Sequence, residues 1–73
     1  MPELPLYVVT VRGPEGEIVV ETLPTDRLLF QYPGEPWGDY RKRVEEVLRE
    51  DYVAVDEIEL GDGDMMVVYK RRW

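Results

Sequence analysis

Apolar residues in the middle of this chain recur with a helical period. In the stretch 36–51, PWGDYRKRVEEVLRED, they fall at Tyr40, Val44, Val47 and Leu48. That is the i, i+4, i+7, i+8 spacing of a single helix face. The opposite face carries Arg41, Lys42, Glu45, Glu46 and Arg49. Arg41 with Glu45, Lys42 with Glu46, and Glu45 with Arg49 are spaced to pair along the helix, each contributing only about 0.2–0.5 kcal/mol. Asp39 stands where an N-cap would accept a hydrogen bond from a first-turn amide. Glu50 and Asp51 supply no glycine C-cap, so the helix end is not marked in the sequence.

On either side the period changes to two. Residues 6–12 (LYVVTVR) are β-branched and aromatic and read as a strand. Tyr7, Val9 and Val11 point one way, and Leu6, Val8, Thr10 and Arg12 the other. Both faces begin apolar, which suits a central strand. Gly13-Pro14-Glu15-Gly16 is a turn, and residues 17–23 (EIVVETL) follow as the second strand of a hairpin. There Ile18, Val20 and Thr22 alternate with Glu17, Val19 and Glu21. Residues 27–32 (RLLFQY) alternate again as a short third strand. Residues 33–36 (PGEP) reset the chain before the helix, where Trp37 is placed to staple the first turn to the sheet. With Tyr32, Trp37 is expected to fold back and cap the core.

Residues 52–60 (YVAVDEIEL) form a strand with a fault: Val53 and Val55 lie on one face, Ile58 and Leu60 on the other. A bulge near Asp56-Glu57 would repair the phase. Gly61-Asp62-Gly63-Asp64 is a tight hairpin turn, Asp-Gly being a favoured central pair. Residues 65–72 (MMVVYKRR) close that hairpin, and residues 1–5, with Pro2 and Pro5, are an extended lead-in.

The order β-β-(β)-α-β-β in 73 residues describes one α+β domain spanning 1–73. Its expected architecture is a two-layer sandwich, one helix packed on a four- or five-stranded, mostly antiparallel sheet. The two hairpins flanking the helix can place the first and last strands side by side and parallel at the sheet centre. In element order alone this is similar to the ubiquitin-like β-grasp, and no motif accompanies the similarity. One helix covers one face of a sheet, and the first and last strands are apolar on both faces. The second face must therefore be partly exposed, tucked under the N-terminal segment, or buried in a homodimer, with the homodimer slightly favoured over a monomer.

Composition narrows the chemistry. The chain has no Cys, His, Ser or Asn. Disulfides, thiolate and imidazole zinc sites, and Ser–His or Cys–His nucleophiles are therefore excluded. Arg outnumbers Lys seven to two, and thermolabile Asn and Cys are missing, as in heat-adapted, GC-rich or designed sequences. No apolar run reaches the roughly 18–20 residues of a bilayer span, and no basic segment precedes a hydrophobic one at the start. The expected setting is cytoplasmic and soluble.

The net charge of −7 is uneven: residues 1–26 hold five acids against Arg12 alone, and residues 51–73 hold six against three bases. Such a surface repels nucleic acid and attracts basic partners. The cluster Lys70-Arg71-Arg72-Trp73 has the composition of a phosphate or base contact, but three bases within this balance argue instead for pairing with acids or protecting a sheet edge. Asp62 and Asp64 do not continue into a calcium loop, since Val67 and Trp73 occupy the sixth and twelfth positions. Asp56, Glu57 and Glu59 read as a solvated strand face before they read as a metal or acid–base site. No cofactor, metal or catalytic residue is indicated.

These readings describe a non-enzymatic acidic module, an inhibitor or adaptor, that engages a basic surface of another protein. The candidate contact residues are Glu17, Glu21, Glu57 and Glu59, held on strand faces opposite the apolar positions. The alternative is a structural domain, designed or heat-adapted and self-associating, with no ligand. Acids converging on one patch favour the first reading, and scattered acids the second.

Overall fold

The stripe at Tyr40, Val44, Val47 and Leu48 becomes the buried face of α1 (Trp37–Asp51), with all four residues inside the core. The computed structural model describes residues 4–22, 29 and 31–73. Among them the order is β1 (Tyr7–Arg12), β2 (Ile18–Val20), α1, β3 (Tyr52–Gly61) and β4 (Asp64–Arg71). The strands form one antiparallel sheet in the spatial order β2-β1-β4-β3. The class is the expected α+β, one helix on a four-stranded sheet.

The first and last strands do lie side by side at the centre, but they run antiparallel, with Val8 opposite Tyr69 and Thr10 opposite Val67. This corrects the parallel, β-grasp-like pairing. The cause lies in where the helix begins. Its early turns stand at the β1–β2 turn, where the Arg41 guanidinium lies over Gly16. The helix then descends against β1, bringing Arg49 to Arg72 beside the start of β1. Asp51 passes directly into Tyr52, so β3 runs parallel to β1 and β4 must run against it.

The N-cap expectation is also corrected. Pro36 is the cap, its extended backbone (φ −60°, ψ 140°) feeding the helix, and no side chain caps it. Asp39 lies inside the first turn, where its charge complements the helix dipole. Glu45 accepts from Arg12 at 3.0 Å and lies 3.7 Å from Arg41, so one expected helix pair forms around a contact to β1.

β2 is shorter than its pattern, because the Thr22 hydroxyl accepts the Val9 amide at 2.6 Å and ends the ladder. The strand expected over 27–32 lies partly outside the described residues. Leu29, Gln31 and Tyr32, which are described, belong to no strand. Tyr32 and Trp37 are about two-fifths exposed and do not cap the core. Trp37 instead leans on Tyr40 with ring centres 5.6 Å apart, and Arg43 lies 4.5 Å over the Tyr32 ring. Burial disfavours the charge of Glu35, yet hydrogen bonds from Arg43 and the Tyr32 amide outweigh it and hold the carboxyl below its usual range.

Both hairpins form by their turn chemistry. Asp62 and Gly63 have φ of 54° and 83°, the left-handed pair that a two-residue turn between Gly61 and Asp64 requires. The first turn closes from the Gly16 amide to the Gly13 carbonyl at 3.1 Å.

The core gathers Val8, Ile18 and Tyr52 from the sheet with the four helix residues, Leu4 and Leu29. Its polar atoms are partnered: Thr10 donates to the Val67 carbonyl, Tyr40 to that of Leu29, and Tyr52 to that of Pro5. Burial disfavours the Arg12 cation, but Tyr69 and Glu45 outweigh it and raise its pKa. Leu48, 3% exposed, leaves a cavity when shortened. Leu48→Ala should therefore cost roughly 2–5 kcal/mol, read as a lower denaturation midpoint. An unchanged midpoint would place the helix stripe outside the core.

Burial pushes the Tyr40 phenol above its ordinary value, Arg43 opposes this and Glu35 adds to it. The fold thus favours the neutral phenol, a contribution present below about pH 10 and lost as pH rises beyond it. Tyr40→Phe should cost about 1–3 kcal/mol at neutral pH by removing the donor to Leu29. It should also flatten the fall in stability above about pH 10. Denaturation of both proteins across that range checks both effects.

Candidate functional site: the β3 edge and the open face

The register determines which side chains share a face. Val8, Thr10, Ile18, Tyr52 and Val67 are buried and define the helix side. The other side carries Val19 on β2, Tyr7, Val9 and Val11 on β1, and Met66, Val68 and Lys70 on β4. On β3 an irregularity at Val55 separates the pairs of Ala54 and Asp56, so Val53, Asp56 and Ile58 all join that open face. The bulge is real but one residue earlier than expected. A second irregularity falls at Leu60, between Glu59 and Gly61.

The four candidate acids do not form one patch. Glu17 and Glu21 extend the β2 register on the open side, with the Glu21 amide bonded to the Val9 carbonyl at 2.8 Å. Glu17 folds back over Gly13, where any Cβ would collide with its carboxylate. Glu57 and Glu59 pair with Val67 and Met65 and therefore project from the helix side of β3. Three strand spacings, about 14 Å, separate the two edges. Each pair thus has its own edge and its own face.

The edge position of β3 is what the sequence did not reveal. Ten residues long, β3 occupies the sheet edge, and every residue after Tyr52 is exposed. Its apolar residues Val53, Val55, Ile58 and Leu60 are all between 44% and 51% exposed. Half of its backbone N–H and C=O groups point away from β4, the geometry that accepts a further strand. Between the two irregularities, residues 56–59 pair regularly and include Asp56, Glu57 and Glu59. The only sequence signal for this was charge: residues 54–66 hold five acids and no base.

Of the C-terminal bases, Arg71 is drawn toward the body of the fold, and Lys70 and Arg72 are exposed. Arg71 donates to the Leu4 carbonyl at 2.6 Å and lies 4.2 Å over the Trp73 ring, while Arg72 bonds the Asp51 carbonyl through its amide. Lys70 remains on the open face, opposite Tyr7 and Val53. A shallow hollow beside the second turn is lined by Glu59, Gly61, Gly63, Asp64 and Met65. Among the described residues no three acidic side chains converge to hold a metal ion, and no helix is long and apolar enough to cross a membrane. Comparison with protein-family models, curated proteins and solved structures finds no match.

Proposed function

We propose that this protein is a non-enzymatic binding module, an adaptor or small inhibitor, whose acidic β3 edge receives an extended basic segment of a partner protein. The observation that supports it is the ten-residue edge strand, exposed from Val53 onward and carrying Asp56, Glu57 and Glu59. Backbone hydrogen bonding supplies affinity in such strand addition, and the flanking side chains select the partner. Here the selection is for positive charge, delivered by Lys or Arg at alternate positions of the incoming strand. Of the four acids expected at the interface, Glu57 and Glu59 belong to this reading, and Asp56 joins them. Glu17 and Glu21, at the far edge, serve solubility.

Titration calorimetry with strand-forming peptides, alternating Lys or Glu with Val and Thr, tests the proposal. The Lys peptide should bind and weaken as salt rises, because screening acts over the roughly 8–10 Å Debye length of ordinary buffers. The double substitution Glu57→Lys with Glu59→Lys should abolish that binding. Its thermal melt should stay within about 0.5 kcal/mol of the parent, as is usual at exposed sites. Equal binding of the Glu peptide, or binding retained by the variant, would overturn the assignment.

A further inference from the structure

The sheet face turned away from the helix has no cover among the described residues. Row by row it presents Val19, Val11, Met66 and Ile58, then Val9, Val68 and Asp56, then Tyr7, Lys70 and Val53. Tyr7, Val19, Val53 and Ile58 are each 44–52% exposed. Leu4 and Leu29, the described residues of the two irregular segments that reach the core, are both buried on the helix side. We infer that a second copy of this chain covers the open face, forming a twofold homodimer with sheet packed on sheet and the helices outermost.

Three observations select a second copy. The first is area. Three strands of six residues and a fourth of three, about 4.8 Å apart with about 3.3 Å rise per residue, give a flat footprint of roughly 330 Å² per copy. Two such faces, with side-chain relief added, reach the roughly 1,000 Å² total that separates specific interfaces from incidental contacts.

The second is charge. Asp56 and Lys70 are the two charged groups inside the apolar rows, one row apart on neighbouring strands. A twofold axis running across the strands between those rows brings each Asp56 into the row of the partner's Lys70, one strand spacing of about 4.8 Å to the side, twice over. Such reciprocity is what an isologous interface requires.

The third is the state of the edges. β2 is three residues long, and pairing β3 with another β3 would oppose Asp56, Glu57 and Glu59 with themselves. Association through an edge is disfavoured, and the face remains. Acids at its rim, Glu17, Glu21 and Asp64, likewise repel an anionic lipid surface.

Sedimentation equilibrium from micromolar to several hundred micromolar tests this. The expected species has twice the 8.6 kDa chain mass. Its dissociation constant should fall as salt rises, because two chains of net charge −7 then repel less. That salt response is opposite in sign to the one expected for a basic peptide at β3, so either result can fail alone. Ile58→Lys should weaken the dimer at least tenfold. Asp56→Lys should weaken it as well, and adding Lys70→Asp should restore it.

If a variant loses its far-UV dichroism, dilution of the methyl-labelled parent decides instead. Val9, Val11 and Val68 signals should move with concentration while Val44 stays fixed. A parent that stays at 8.6 kDa throughout, with methyl signals insensitive to dilution, overturns the inference. So does a dimer indifferent to both Ile58→Lys and Asp56→Lys.

Discussion

One helix must serve a sheet that is apolar on both faces. α1, fifteen residues long, can lay a stripe of four large side chains against one side, and it does so with Tyr40, Val44, Val47 and Leu48. Inward of that stripe lies the buried core, with the buried polar atoms of Thr10, Tyr40 and Tyr52 turned to backbone carbonyls. On the other side the same strands alternate into solvent. Because a β-strand presents successive residues to opposite faces, an apolar run such as Val8-Val9 cannot serve one side without loading the other. The open face follows directly from building a central strand from consecutive apolar residues while providing a single helix.

The two sheet edges are managed differently. β2 is cut short by a side chain, since the Thr22 hydroxyl takes the amide that would continue the ladder. β3 is long, and it is interrupted by the irregularities at Val55 and Leu60 and charged between them. Bulges and charges both discourage a strand of the same kind from adding to an edge. A run of carboxylates discriminates by sign, however: it repels another copy of itself, and under the proposed function it would admit a strand bearing Lys or Arg. Protection from self-pairing and the proposed selection of a basic partner would then be one device.

The sequence was most legible where a local rule had no competitor. The helix stripe, the Asp62-Gly63 turn and the central position of the first strand each follow from periodicity or backbone preference over a few residues. Strand direction did not follow. It depends on the end of the sheet at which the helix begins, and no local period records that. The edge position of β3 was not legible for a related reason, because Val53, Val55, Ile58 and Leu60 look the same whether they face a core or solvent. The strand and its fault were legible, the fault one residue from its expected place, but burial depends on neighbours that no period encodes. The candidate acids were chosen by alternation alone. Alternation places each acid on a face of its own strand, while strand order decides whether two strands share an edge. With β2 and β3 at opposite edges, Glu17 and Glu21 could not join Glu57 and Glu59.

The placement of the acids also bears on why pairing through the open face would stop at two copies. A sheet with apolar faces and unguarded edges can grow in two directions, by stacking and by lateral addition, and the second leads to fibres. Here the outer layer on each side is a charged helix surface bearing Lys42, Glu46 and Arg49, so stacking one sheet face on another uses up the open apolar sheet face that the described residues present. Lateral growth meets Asp56, Glu57 and Glu59 on one edge and a three-residue strand flanked by Glu17 and Glu21 on the other. Closure therefore needs no special interlock. It follows from putting the apolar residues on one face, the carboxylates at the edges and the helix on the remaining side.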